Sequence, residues 1–302
     1  MNQLPIHTET DGPFAGVVTV TLEQPGKPVV VLELELMQRL EATLRGVSPH
    51  ARGVVLASAS ERVFVAGADL KAISELPDGQ LDDHLQYGSR VFAMLSNLPC
   101  PTVAAINGAA LGGGLELAMH CDGLVAAPPA PRDGQPGKPY MVGLPEAGLS
   151  ICPGWGGTNL LGARIDPVEA LRRTAKGTTL MFDEAVAFGM FDAVATDAAD
   201  LLPAAKRWVV SQTSPGRGRD GAPKRWIGRP DCVAAAVRAV DVLRAELGSG
   251  GGPAMAVLEA ADAGLTKGWQ AALTVERRRL IQLRSSTEGK AAIQAFFAKS
   301  RK

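Results

Sequence analysis

The sequence predicts an α/β fold, and three observations carry that prediction. Short apolar runs, Gly16–Leu22 (GVVTVTL), Gly53–Ala57 (GVVLA) and Thr102–Ile106 (TVAAI), have the length and β-branched content of buried strands. Between them apolar residues recur at helical spacing, first Leu36, Met37, Leu40 and Leu44, then Leu85, Val91, Phe92, Leu95 and Leu98. The order is strand, strand, helix, repeated, which fits short strands joined by crossover helices.

Each element has its own signals. Pro25-Gly26 turns the first strand, and the first helix runs to about Arg45. The second strand leads into Val63–Lys71 (VFVAGADLK), where Ala66-Gly67-Ala68 is a small-residue loop just past a strand end. Pro99 and Pro101 end the next helix before the strand Thr102–Ile106. A strand at Gly123–Ala127 follows, then Pro128–Pro139 (PPAPRDGQPGKP), read as an exposed irregular insertion. Asp166–Arg173 and Phe182–Phe188 read as helices, with a short strand at Phe191–Ala195. From Ser211 to Pro230 the chain turns polar and basic without apolar periodicity, which reads as a linker. Cys232–Leu247, Ala254–Leu265, Trp269–Leu283 and Thr287–Lys299 are then helical patterns. A boundary near residue 211 separates an α/β core (1–210) from a linker and helical region (211–302).

Composition narrows the function. At 302 residues and 46% hydrophobic content the chain can bury a large core. Lys plus Arg and Asp plus Glu are 31 each, so no net field draws the chain to nucleic acid or membrane. No apolar run is long enough to span a bilayer, and MNQLPIHTETDG has neither the basic start nor the apolar segment of a signal peptide. Cys100, Cys121, Cys152 and Cys232 form no CxxC pair, which argues against a disulfide framework or zinc site and for a reducing, cytoplasmic setting. The patch Lys224–Arg229 reads as a solvated linker.

The stretch Thr102–Asp122 (TVAAINGAALGGGLELAMHCD) holds the chemistry. Asn107-Gly108 breaks the strand, and Gly112, Gly113 and Gly114 then open a helix, LELAMHC. Glycines at a helix start let a ligand approach free backbone N–H groups. Glu116 is a carboxylate among Leu115, Leu117, Ala118 and Met119, and buried carboxylates need a partner or a task. The plain alternative is a first-turn Glu favoured by the helix macrodipole. Further on, GLPEAGLSICPGWGGT (143–158) sets Glu146 ahead of a second glycine-lined turn. The other common plans fail. There is no G-x-S-x-G elbow for a Ser/His triad, no Walker motif and no strand-linked GxGxxG, and adjacent His120, Cys121 and Asp122 point in different directions on a helix.

Two carboxylates and two small-residue loops remain. In VFVAGADLK (63–71), PTVAAINGAALGGGLELAMHCD (101–122), GLPEAGLSICPGWGGT (143–158) and STEGKAAIQAFFAKSRK (286–302) the chain resembles the crotonase superfamily, the enoyl-CoA hydratases and isomerases. The resemblance implies a crotonase-like spiral of repeated ββα units with a C-terminal helical trimerisation region. It implies a homotrimer or dimer of trimers acting on an acyl-CoA thioester, with coenzyme A as part of the substrate and no metal or separate cofactor. Ala68 and Gly113 would supply the backbone N–H groups of an oxyanion hole, where the loss of one donor typically costs ~10²–10³ in rate. Glu116 would activate water and Glu146 protonate Cα. Ala66, Gly67, Asp69, Leu70, Lys71 and Gly112 would contact substrate or coenzyme A, as would Phe296 and Lys299 from the terminal helix. Lys71 and Lys299 can also be read as solvated lysines, and Phe296 as a core residue.

The resemblance implies hydration of a 2-enoyl-CoA to a 3-hydroxyacyl-CoA, because double-bond isomerases keep only the carboxylate at the Glu146 position. Δ3-Δ2 isomerisation or thioester hydrolysis on the same scaffold is the near alternative, and a non-catalytic RNA- or acyl-CoA-binding relative the distant one. Two departures stand out. Glu116 and Glu146 are 30 positions apart because of the insertion, longer than in typical hydratases. The region Ser211–Leu265 is longer than in compact hydratases and is similar to the hydratase half of the β-oxidation multifunctional enzymes.

Overall fold

In a computed structural model of the chain, residues 2–131, 134–213, 219–247 and 251–300 are described. The chain begins with β1 (Ile6–Thr8), a 3-10 turn at Gly12–Phe14, β2 (Val17–Leu22), α1 (Leu34–Arg45), β3 (Gly53–Ser58) and β4 (Val63–Val65). It continues through α2 (Leu70–Glu75), α3 (Asp78–Asn97), β5 (Thr102–Ile106), β6 (Ala109–Leu111), α4 (Gly113–Met119) and β7 (Gly123–Ala126). Then follow β8 (Met141–Gly143), a 3-10 turn at Glu146–Leu149, α5 (Gly157–Leu161), α6 (Pro167–Lys176), β9 (Leu180–Met181) and α7 (Phe182–Ala187). The last elements are β10 (Ala193–Val194), α8 (Leu201–Ser211), α9 (Val233–Leu247), α10 (Gly252–Lys267), α11 (Trp269–Ser285) and α12 (Thr287–Ser300).

These elements group into two compact units interleaved along the sequence. One contains the chain up to Gly67, Arg90–Val142 and Leu180–Lys224; the other contains Ala68–Ser89, Gly143–Thr179 and Arg225–Lys302. The unit edge nearest the boundary read from composition at residue 211 lies at Lys224.

The first unit is built on a six-stranded sheet ordered β1-β2-β3-β5-β7-β10, antiparallel at β1–β2 and parallel at every later pairing. Its central strands are buried along nearly their whole length, as expected where both faces of a parallel sheet are covered. On one face Val17, Val55, Val103, Ala105 and Val125 pack against Leu201, Ala205 and Val209 of α8. A second sheet, ordered β4-β6-β8-β9, carries the glycine-rich loops. The strand β6 has no signal in the sequence: its three residues are too few to show a period of two, and their strand state comes from parallel pairing with β4. The insertion 128–139 contains no helix among its described residues; Arg132 and Asp133 lie outside them. Its base is closed by the Tyr140 hydroxyl, which donates to the Ala127 carbonyl at 2.7 Å.

The second unit is mostly helical. α10 and α11 form a hairpin around Gly268, burying Ala256, Val257, Ala260 and Ala261 on one helix and Ala272 and Leu273 on the other. α6 packs on α9 and α10, while α12 packs on α2 and on the 3-10 turn Glu146–Leu149. The four helical patterns expected after residue 232 are all present, with ends within about two residues of the expected ones.

The segment before α9 differs from its reading as a solvated linker. Trp226 and Ile227, inside the basic patch, are buried, and the Trp226 ring lies 5.7 Å from that of Trp269. The Ile227 amide donates to the Asn159 carbonyl at 3.0 Å. In the first unit Arg219 reaches Asp122, with both guanidinium contacts at 2.7 Å, and donates to the Cys100 carbonyl at 3.0 Å. Isolated anchors in irregular backbone have no periodicity, so the polar composition hid them.

Candidate active site

In the first unit, the small-residue loops converge. The Ala66 amide donates to the Val30 carbonyl and the Leu32 amide to the Gly67 carbonyl, so this loop is held by the chain ahead of α1. Gly67 has φ +131° and approaches the Leu111 carbonyl at the end of β6. Gly112 follows with φ +52° as the residue preceding α4. A Cβ on Gly114 would lie 2.4 Å from the Val65 carbonyl oxygen, so only glycine lets α4 sit this close to β4. Ala66, Gly67, Gly112 and Gly113 are thereby gathered at one place. As the first residue of α4, Gly113 offers an N–H of the kind a helix leaves without an intrahelical partner.

Glu116 lies in the first turn of α4 and is 1% exposed, and every other residue of that helix is buried as well. Its position is set from both ends. The Glu116 amide donates to the Gly112 carbonyl at 3.0 Å, and the Glu116 carbonyl accepts from the His120 amide at 3.2 Å. His120 is fixed in turn: its carbonyl accepts from the Ser96 hydroxyl at 2.9 Å, and its ring packs edge-on against Phe92. Asp122, just beyond, accepts from the Thr102 amide at 2.9 Å and is neutralised by Arg219. The sequence singled out Glu116; the supporting Asp122–Arg219 pair, 97 residues apart, left no local signal.

The second unit carries the remaining candidates. Ala68 directly follows Gly67 in the chain, and the Asp69 carboxylate caps α2 by accepting from the Lys71 amide at 2.9 Å. Capping is thus the contact the structure gives Asp69. Leu70 opens α2, and Lys71 is exposed on its first turn. Phe296 is 45% exposed on α12, which removes its reading as a core residue, and Lys299 is exposed on the same helix.

Glu146 opens the 3-10 turn Glu146–Leu149. Its Oε2 is sealed from solvent and has no hydrogen-bond partner. Burial raises its pKa, its own backbone amide opposes that, and the charge of Glu276 raises it further, so the neutral acid is favoured well above the usual carboxylate range. The turn ends at Ser150 with φ +57°, the left-handed region seldom used by non-glycine residues.

Glu276, on α11, escaped the sequence reading because the three arginines after it imitate a solvated helix face. It is fully buried. Its carboxylate accepts from the Gly156 amide at 2.5 Å and the Thr158 amide at 3.0 Å. The available signal was positional: Ala272, Glu276 and Leu280 follow one another at four-residue spacing, so Glu276 shares their buried stripe.

Among the described residues no three His, Cys, Asp or Glu side chains are grouped so as to hold a metal ion, and no helix is long and apolar enough to cross a membrane.

The family model for enoyl-CoA hydratase/isomerase matches residues 13–213. YngF of Bacillus subtilis (strain 168), whose name places it with the enoyl-CoA hydratase/isomerases, is 35% identical over 199 residues, covering 65% of this chain and 72% of its own. The structure of human mitochondrial Δ3-Δ2-enoyl-CoA isomerase superposes with a TM-score of 0.67 at 21% identity, covering 98% of both chains. An enoyl-CoA hydratase structure from Bacillus anthracis gives 0.59 at 24% identity, covering 97% of this chain and 96% of its own. With buried Glu116 behind the glycine-opened helix and the family match over two thirds of its length, the chain belongs to the enoyl-CoA hydratase/isomerase family and has the crotonase fold.

Proposed function

We propose that the protein adds water across the C2=C3 bond of a 2-enoyl-CoA to give a 3-hydroxyacyl-CoA. The observation that supports this reading is a carboxyl group withdrawn from solvent in each of the two units. Glu116 is buried in the first turn of α4, and Glu146 has a sealed oxygen and a raised pKa. In the proposed reaction Glu116 takes a proton from water as the water oxygen bonds to Cβ. The C2=C3 π electrons move toward the thioester, whose oxygen gains negative charge. The N–H groups of Ala68 and Gly113 stabilise that enolate, and its collapse takes a proton from Glu146 onto Cα. A carboxylic acid kept neutral near pH 7 by burial suits the last step.

The substrate carries its own coenzyme A, for which Ala66, Gly67, Leu70, Lys71, Phe296 and Lys299 are the proposed contacts. By the same resemblance the C-terminal helices mediate a homotrimer or dimer of trimers, and the four free cysteines accord with a reducing, cytoplasmic setting.

The test is loss of crotonyl-CoA absorbance at the enoyl-thioester band for wild type, Glu116→Gln and Glu146→Gln. Each substitution is expected to lower kcat by about 10²–10⁴. A wild type that binds acyl-CoA but leaves this band unchanged would refute hydration. Retained double-bond isomerisation of a 3-enoyl-CoA by Glu116→Gln would transfer the assignment to an isomerase.

A further inference from the structure

We propose that Glu276 is a positioning residue for Glu146, gripping the loop that follows that acid and holding a negative charge within electrostatic range of it. The inference rests on the reading of Glu146 as the proton donor.

The grip is visible along the loop 152–158. At its start the Cys152 thiol donates to the Glu276 backbone carbonyl at 3.7 Å. At its end the Glu276 carboxylate accepts from the amides of Gly156 and Thr158, the amides opening α5. Between them Trp155 is buried, and its indole N–H donates to the Leu85 carbonyl at 2.8 Å. Gly156, at φ +98°, lies so close to the Trp269 ring that a Cβ there would meet it at 2.2 Å. Only Ser150 and Ile151 separate the 3-10 turn bearing Glu146 from this clamped loop. The Ile151 amide returns to the Glu146 carbonyl at 3.2 Å. One buried residue thus holds both ends of the loop that follows the turn bearing the acid.

A purely structural cap would not need a carboxylate at a fully buried site, where charge is costly. The charge has a second use. Two buried carboxyl groups near one another cannot both ionise easily, so one keeps its proton. Glu276 receives two backbone N–H donors that favour its ionised form, whereas Glu146 has only its own backbone amide and its Oε2 has no partner. The proton of the pair therefore rests on Glu146, where the reaction requires it. Several charges on the surrounding elements are paired elsewhere. Arg277 holds Asp82 at 2.6 Å and Arg279 holds Glu259 at 3.1 Å. On α6 Arg173 holds Glu169 at 2.7 Å and Arg172 holds Glu246 at 2.9 Å; Lys176 lies in its last turn. α12 contributes Glu288, Lys290 and Lys299. His84, its ring tilted and 6.4 Å from that of Trp155, has its pKa lowered by burial, with Asp69 opposing.

The experiment measures the pH dependence of kcat for crotonyl-CoA hydration by the full chain as wild type, E276Q and E276D. In parallel, a ¹³C-carboxyl NMR titration of Glu146 without substrate uses E146Q to assign its resonance. In E276Q both the alkaline limb of kcat and the Glu146 midpoint are expected to move down by about one pH unit. E276D, with its charge one methylene back, should fall between. An unmoved midpoint with reduced kcat or stability would reduce Glu276 to a scaffold cap and overturn the proposal. If E276Q does not fold, an unmoved E276D midpoint does the same. Absence of hydration in wild type, with the midpoint shift present, would instead overturn the reading of the reaction while leaving the Glu276–Glu146 pair intact.

Discussion

Replacing Arg219 by Ala puts a number on the anchoring that the sequence concealed. Its guanidinium makes two 2.7 Å contacts to Asp122, and the side chains are 11% and 5% exposed. Truncation would leave a carboxylate in the core with only its Thr102 contacts, at 2.9 Å from the amide and 3.3 Å from the hydroxyl. Breaking one side of a buried pair costs about 3–5 kcal/mol, and the remaining Thr102 bonds place this case at the lower end. With an unfolding entropy of about 2.1 cal/mol/K per residue, 302 residues give roughly 0.6 kcal/mol/K. The melting temperature should therefore fall by about 5 °C. Differential scanning calorimetry on wild type, Arg219→Ala and Arg219→Lys reads this directly. Lysine keeps the charge without the two-pronged geometry, so it should lose only part of that stability. A drop below about 2 °C for Arg219→Ala would mean that the pair is solvated and that the segment before α9 is the free linker its composition implied.

Three further outcomes follow from the same geometry. The folded-state pKa values of Glu146 and Glu276 are both raised, mainly by burial, so the folded state holds their protons more tightly than the unfolded chain. Their contribution to stability is complete below the ordinary carboxylate pKa and is lost as pH rises through the raised values. Denaturant midpoints should fall over that alkaline-going interval, and Glu146→Gln should flatten the slope; a slope unchanged in Glu146→Gln would contradict the burial argument. Gly114→Ala forces a methyl to within 2.4 Å of the Val65 carbonyl, so α4 must move away from β4, displacing Gly113 and Glu116 together. Hydration should drop by at least about 10-fold with the chain still folded by circular dichroism, and unchanged kcat would show that α4 tolerates the shift. Phe296→Ala removes a side chain already 45% exposed, so its melting temperature should stay within about 1 °C of wild type while KM for the acyl-CoA rises. A fall in stability with unchanged KM would assign Phe296 to packing instead.

Much of the molecule could be read without coordinates because its signals are local. The strands at 17–22, 53–58, 102–106 and 123–126 announce themselves as apolar runs, and α9 to α12 as helical stripes. The GGGLE stretch identifies itself because a turn at positive φ, a backbone approach to Val65 and a lone carboxylate in an apolar helix each demand a particular residue type. What depended on distant partners stayed hidden. The three residues of β6 become a strand by pairing with β4 on one side and β8 on the other. Arg219 looks like any linker arginine until the fold carries it to Asp122, 97 positions away. Glu276 sits beside three arginines as a surface residue would, until the amides of Gly156 and Thr158, about 120 positions earlier, meet its carboxylate. Sequence by itself therefore determined most of the element order and the family, and singled out the candidate carboxylates Glu116 and Glu146, each of which rests on residues close together in the chain. Tertiary structure alone decided which charges are buried and what neutralises or protonates them, because desolvation and long-range pairing arise only after the chain has closed around them.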